Sequence, residues 1–188
     1  MLRVLAVELL AAAFAPLLAY VANHHGHSTF TRASFGATLL VTFFIAIWPT
    51  VILHELGHAV AVRLCGGRVV AVRIGTGPNR EWQRGDVTYS VGLIPWHGAT
   101  AYDAHDVVGR RRNLAVVLGG FAGQLVLVLL GLLALLHPSQ AVAVVGTFVV
   151  MLQVLVMMLN AMPIVRTIKG RPVVTDGVLA WRMLRPPT

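Results

Sequence analysis

Leu39-Leu40-Val41-Thr42-Phe43-Phe44-Ile45-Ala46-Ile47-Trp48-Pro49-Thr50-Val51-Ile52-Leu53-His54-Glu55-Leu56-Gly57-His58 decides the fold. This apolar run opens near Gly36 and continues through Ala59-Val60-Ala61-Val62, long enough to cross a bilayer. On a helix, residues four apart lie on one face, one turn above each other. His54 and His58 therefore point together and can hold one zinc ion. Glu55 lies beside them, placed to take a proton from a water at the metal. Glu and His are ordinary helix residues, so such a motif in a soluble helix is ambiguous. Inside an apolar span, two histidines and a glutamate buried without partners would be costly, which favours a functional site. Gly57 lets a second backbone approach this helix.

Composition sets the class. The chain has 188 residues, of which 57% are hydrophobic and 12% charged, an integral-membrane balance. Its net charge of +8 reports topology and anionic lipid, since no aromatic-interleaved basic patch argues for nucleic acid. The single cysteine, Cys65, excludes an internal disulfide and reads as a small apolar residue.

The expected fold is an α-helical integral membrane protein with about four transmembrane helices and a small β-hairpin after the second. The expected spans are 2–22, 36–64, 113–136 and 141–162, all in one membrane-embedded domain covering 1–188. The first run follows Arg3 and contains Glu8 and Pro16, which suits a retained helix better than a cleaved signal. Asn23 to Ser34 is a polar connection in which His24, His25 and His27 cluster without preorganisation. Pro49, one turn before the histidines, should kink the second span or open its hydrogen bonds.

Gly66-Gly67 ends that span and opens a strand-rich segment, 66–100. Val69 to Ile74 reads as one strand, Gly75 to Asn79 as a turn, and Val87 to Ile94 as a second strand ending at Pro95. The third span carries the small-residue patch Gly119-Gly120-Phe121-Ala122-Gly123, followed by Gln124. The fourth carries Gln153 and ends at Asn160-Ala161-Met162-Pro163. A tail over 164–188 includes Thr175-Asp176-Gly177 and a short helix. With four spans, Arg3, the arginines of the strand-rich segment and those of the tail share one side. Both termini then face the cytoplasm, in a bacterial-type cell membrane. At 1.5 Å rise per residue, His54 and His58 lie roughly 7–14 Å inside Arg63, nearer the cytoplasmic face.

These features together resemble the site-2 protease family of intramembrane zinc metalloproteases. The resemblance rests on His54-Glu55-Leu56-Gly57-His58 in an apolar helix and on Ile74-Gly75-Thr76-Gly77-Pro78 after it. It continues through Tyr89 to Gly98, the patch Gly120 to Gln124, Asn160 with Pro163, and Asp176-Gly177. It covers about Gly36 to Gly177. In the patch, Phe121 and Gln124 stand where the family has proline and asparagine. Ile164 to Thr175 also intervene where the family has only a few residues. The resemblance implies a zinc site of His54, His58 and Asp176, with Glu55 as catalytic base and Asn160 holding substrate backbone or oxyanion. Asp103, His105, Asp106 and His97 are weaker ligand candidates.

It further implies hydrolysis of a transmembrane or membrane-anchored protein substrate in the lipid bilayer. A substrate helix must unwind to be cut, and the hairpin can receive it as an added strand. The alternative is a non-proteolytic membrane zinc-binding protein: a carrier, a sensor or a substrate-binding scaffold. The presence of Glu55 argues against mere binding. An oligomer or an accessory membrane protein is compatible with everything above.

Overall fold

The computed structural model describes residues 29–103, 105–168 and 171–185. The expected first span and the His24–His27 cluster lie outside the described residues. The chain divides into two units, Met1–Ala46 and Ile47–Thr188. The described part of the first is the opening of helix α1, Thr29–Leu64. The helix begins ahead of the expected Gly36, because nothing from Thr29 to Ser34 is a glycine or proline that would stop it. Pro49 lies inside the helix.

The second unit holds the other elements: strands β1 (Val69–Arg84) and β2 (Val87–Tyr102), helices α2 (Arg110–Leu135) and α3 (Gln140–Ala161), strands β3 (Val165–Ile168) and β4 (Arg171–Val174), and helix α4 (Asp176–Leu184). Ile45–Leu64 and Arg110–Leu135 are long and apolar enough to cross a membrane, and Val145–Ala161 is a further apolar helical stretch. Along α2, Leu118, Leu125, Leu129, Leu132 and Leu133 are exposed. An apolar face of this length suits hydrocarbon as its solvent.

The strand-rich segment holds more turns than expected. The chain turns at Gly85-Asp86, with Gly85 at φ +60°, as well as over the expected Gly75–Asn79. Gly75 and Gly77 sit within β1 at φ +79° and +83°, where only glycine is unstrained, and there the chain reverses: Ala71–Ile74 runs alongside Thr88–Val91 with numbering rising on both, whereas Arg80–Arg84 runs against Val91–Val87. Within β2 the chain reverses again around Pro95, since Thr88–Val91 rises with Ala71–Ile74 and Gly98–Ala101 runs against it. As a result Ala71–Ile74 is paired on both sides, with Gly98–Ala101 and with Thr88–Val91. Asn79–Arg84 pairs in turn with Gly92–Val87. Val91 faces both Ile74 and Arg80, so the middle of the expected second strand is interior to the sheet.

A small core fixes this sheet to the helices. Ala59 and Val62 of α1, Val69 and Val72 of β1, Val87 of β2, and Val107 and Val116 form one buried cluster, with Ile74, Tyr89 and Tyr102 against it. Arg68 reaches Asp106 at 3.0 Å and Asp103 at 3.4 Å, tying the end of β2 to the start of β1. Asn113 Nδ2 donates to the carbonyls of Val107 and Gly109, anchoring the entry to α2.

Helices α1 and α2 touch backbone to backbone. A Cβ at Gly57 would lie 2.1 Å from the Gly119 carbonyl oxygen, and one at Gly123 would lie 2.0 Å from that of Leu53. As numbering falls along α1 it rises along α2, so the pair is antiparallel. Gly131 and Gly146 make a similar approach between α2 and α3. Gly57→Leu should force α1 from α2 and lower stability by about 3 kcal/mol or more. Thermal unfolding of the detergent-solubilised chain checks this, and an unchanged midpoint would contradict the contact.

Candidate metal centre

His54 and His58 occupy one face of α1, one turn apart, and both are buried. Their Nε2 atoms are 3.1 Å apart. Oδ2 of Asp176, the first residue of α4, lies 3.0 Å from His54 Nε2 and 3.3 Å from His58 Nε2. Asp176 thus joins the two histidines from far along the chain, and the three are the group among the described residues that can hold a metal ion.

Hydrogen bonding fixes what these atoms offer. The Val116 carbonyl on α2 lies 2.7 Å from His58 Nδ1. A carbonyl only accepts, so Nδ1 carries the proton and a neutral His58 turns its Nε2 lone pair toward Asp176 and His54. Burial opposes charge on Asp176, but the two imidazoles beside it outweigh that and hold its pKa down to about 2. It is therefore a carboxylate at neutral pH, the form a metal ligand requires. Three electron-rich atoms this close need a shared cation. Tetrahedral ligands at bond lengths of about 2.0 Å stand about 3.3 Å apart, near the three separations observed. The donor set, two imidazoles and one carboxylate, fits zinc with one position left open.

Glycine shapes the floor of the site. A Cβ at Gly120 would lie 2.5 Å from His54 Cε1 and from His58 Nε2. No other residue leaves room for the ligand atoms. The patch on α2 therefore does more than bring helices together.

Asp176 arrives by a closed detour. Ile164 to Thr175 forms the β3–β4 hairpin, whose ends meet: Thr175 N–H donates to the Ile164 carbonyl at 3.1 Å. Thr175 Oγ1 also donates to the Met162 carbonyl at 2.5 Å and accepts from Ile164 N–H at 3.1 Å. The chain re-enters beside Pro163, so the inserted residues do not displace Asp176. Gly177 packs so tightly on the end of α3 that a Cβ would lie 2.0 Å from the Ala161 carbonyl oxygen.

Glu55 is 5% exposed. Thr100 on β2 donates to its Oε2 at 2.7 Å, with its backbone carbonyl 3.0 Å from the same hydroxyl. A Cβ at Gly98 would fall 2.4 Å from Glu55 Oε1. The far end of the sheet is thus laid against the carboxylate. Thr100 and the Val116 carbonyl carry no sequence signal, because their partners lie 45 and 58 residues away.

Asn160, expected to hold substrate and not metal, is half-buried in the last turn of α3 and makes no side-chain hydrogen bond among the described residues. The weaker ligand candidates do not join. Asp103 and Asp106 are held by Arg68, and His97 and His105 lie outside the metal group. Cys65 packs against the small core, with its Sγ 3.8 Å from the Arg112 carbonyl.

Comparison with known proteins agrees with this geometry. A 60-residue stretch is 42% identical to a protein of Neisseria meningitidis serogroup A that bears the name "putative zinc metalloprotease". That match takes in 31% of this chain, and the chain covers only 14% of the relative's length. Residues 42–176 match the model of peptidase family M50, a stretch that takes in both histidines, both hairpins and, as its last residue, Asp176. The chain belongs to peptidase family M50, the family of the site-2 proteases.

Proposed function

We propose that the chain is an intramembrane zinc metalloprotease that cuts peptide bonds within or near transmembrane segments of other proteins. The observation that carries this reading is the convergence of His54 Nε2, His58 Nε2 and Asp176 Oδ2 on a helix apolar enough to span. A zinc ion held there would supply the Lewis acidity that activates water and polarises a scissile carbonyl.

The remaining work falls to the chain. Glu55 accepts a proton from the attacking water and passes it to the leaving amine. Thr100 ties down Glu55 Oε2, which fixes the carboxylate and directs its other oxygen. Gly120 keeps the space around the ligand atoms open. Asn160, at the end of α3, is the residue assigned to hold substrate backbone.

Gly98–Ala101 is paired on one side, with Ala71–Ile74, among the described residues. Its other side is the edge that an unwound substrate can extend, next to Glu55. Val91, being interior, does not offer such an edge. The proposed setting is a cell membrane with both termini cytoplasmic and the metal centre nearer that face.

His54→Ala and Asp176→Ala should each lose bound zinc, measured by elemental analysis of the purified chain; full zinc in Asp176→Ala would remove it from the ligand set. Glu55→Gln should keep zinc and lower cleavage of a transmembrane substrate by about 10²–10⁴-fold. Thr100→Val should keep zinc and slow cleavage by about tenfold to a hundredfold. Cleavage by Glu55→Gln at the parent rate would reject the protease reading.

A further inference from the structure

Among the described residues, the buried side-chain atoms without a hydrogen-bond partner are His54 Nδ1, Gln124 Nε2, Gln124 Oε1 and Gln153 Oε1. Gln124 and Gln153 are both fully buried. Orphaned polar atoms at such depth are expensive, and native proteins pair them. The antiparallel contact places these residues in adjoining layers. His54 faces Gly120, and Leu53 faces Gly123. One turn along each helix, the same register sets Thr50 against Gln124. Thr50 also accepts a 2.7 Å hydrogen bond from Gln153 Nε2 on α3. Thr50, Gln124 and Gln153 therefore form a polar layer directly under His54.

The orphaned atoms match in number and kind. His54 turns Nε2 toward Asp176 and His58, so as a metal ligand it carries its proton on Nδ1. That gives two donors, His54 Nδ1–H and Gln124 Nε2–H, and two acceptors, Gln124 Oε1 and Gln153 Oε1. Metal-bound histidines characteristically donate their second nitrogen to an acceptor. His58 does so to Val116, whereas His54 has no such partner among the described residues.

We propose that Gln124 is the positioning residue for His54: its Oε1 accepts from His54 Nδ1–H, directly or through one buried water, while its Nε2 donates toward Gln153 Oε1. The chain of bonds then reaches Thr50. It holds His54 in the metal-binding tautomer and fixes the ring against Gly120. This rests on the zinc reading above.

The test uses the full chain in detergent micelles, with zinc affinity measured by chelator competition. Gln124→Met, near in size but without polar atoms, should weaken zinc binding by about tenfold or more. Gln124→Asn, which keeps the carboxamide, should restore most of it. The metal-free Gln124→Met chain should melt no lower than the parent, since two buried polar atoms have gone. Parent affinity in Gln124→Met, or an equal loss in both variants, would overturn the proposal. The second readout is the His54 Nδ1–H resonance of the zinc-loaded, histidine-labelled parent, which should exchange slowly with water. Fast exchange there would overturn the proposal even if Gln124→Met did not fold. A parent that takes up no zinc would fail the metal-site reading itself, and this inference with it.

Discussion

Everything at the centre depends on the backbone contact between α1 and α2. Gly57, Gly119 and Gly123 let two helices meet at distances that any side chain would block. That approach brings the Val116 carbonyl to His58 and fixes which ring nitrogen faces the metal point. It also lays Gly120 beneath both imidazoles. In the proposed membrane setting, joining two apolar helices would bring little hydrophobic gain, so close packing and buried hydrogen bonds would hold them. The same contact therefore supplies both the assembly and the orientation of the ligands.

The carboxylates reach this helix pair by different routes. Glu55 is on the helix already, and the sheet comes to it: Gly98 admits the side chain and Thr100 holds it. Asp176 is brought by the turn after α3, where Thr175 and Gly177 lock the start of α4 against Ala161 and Met162. A site built this way lets the β3–β4 excursion vary without moving the ligand, because both its ends are tied at Ile164 and Thr175.

Local patterns were legible in the sequence, and long-range pairings were not. The i, i+4 histidines, the apolar spans and the glycine patch follow from helix periodicity and residue size. Asp176 was reachable only through likeness to a family, since nothing in Ile164–Thr175 announces that the chain returns to Pro163. Gly75, Gly77 and Pro78 are strong turn formers, and the chain reverses there as their residue types imply. The further runs, Asn79–Arg84 and Gly98–Tyr102, are set by long-range pairing that no local pattern announces. Gln124 and Gln153 were visible as polar residues in apolar helices, but their common layer depends on helix register, which no single segment encodes.

The central claim is that two imidazoles and one carboxylate share a single zinc. Zinc K-edge X-ray absorption on the purified chain tests it most directly. The account predicts one zinc per chain, with a first shell of nitrogen and oxygen only and the outer-shell signature of two imidazoles. A sulfur ligand, which could come only from Cys65 or a methionine, or fewer than two imidazoles in the shell, would contradict it.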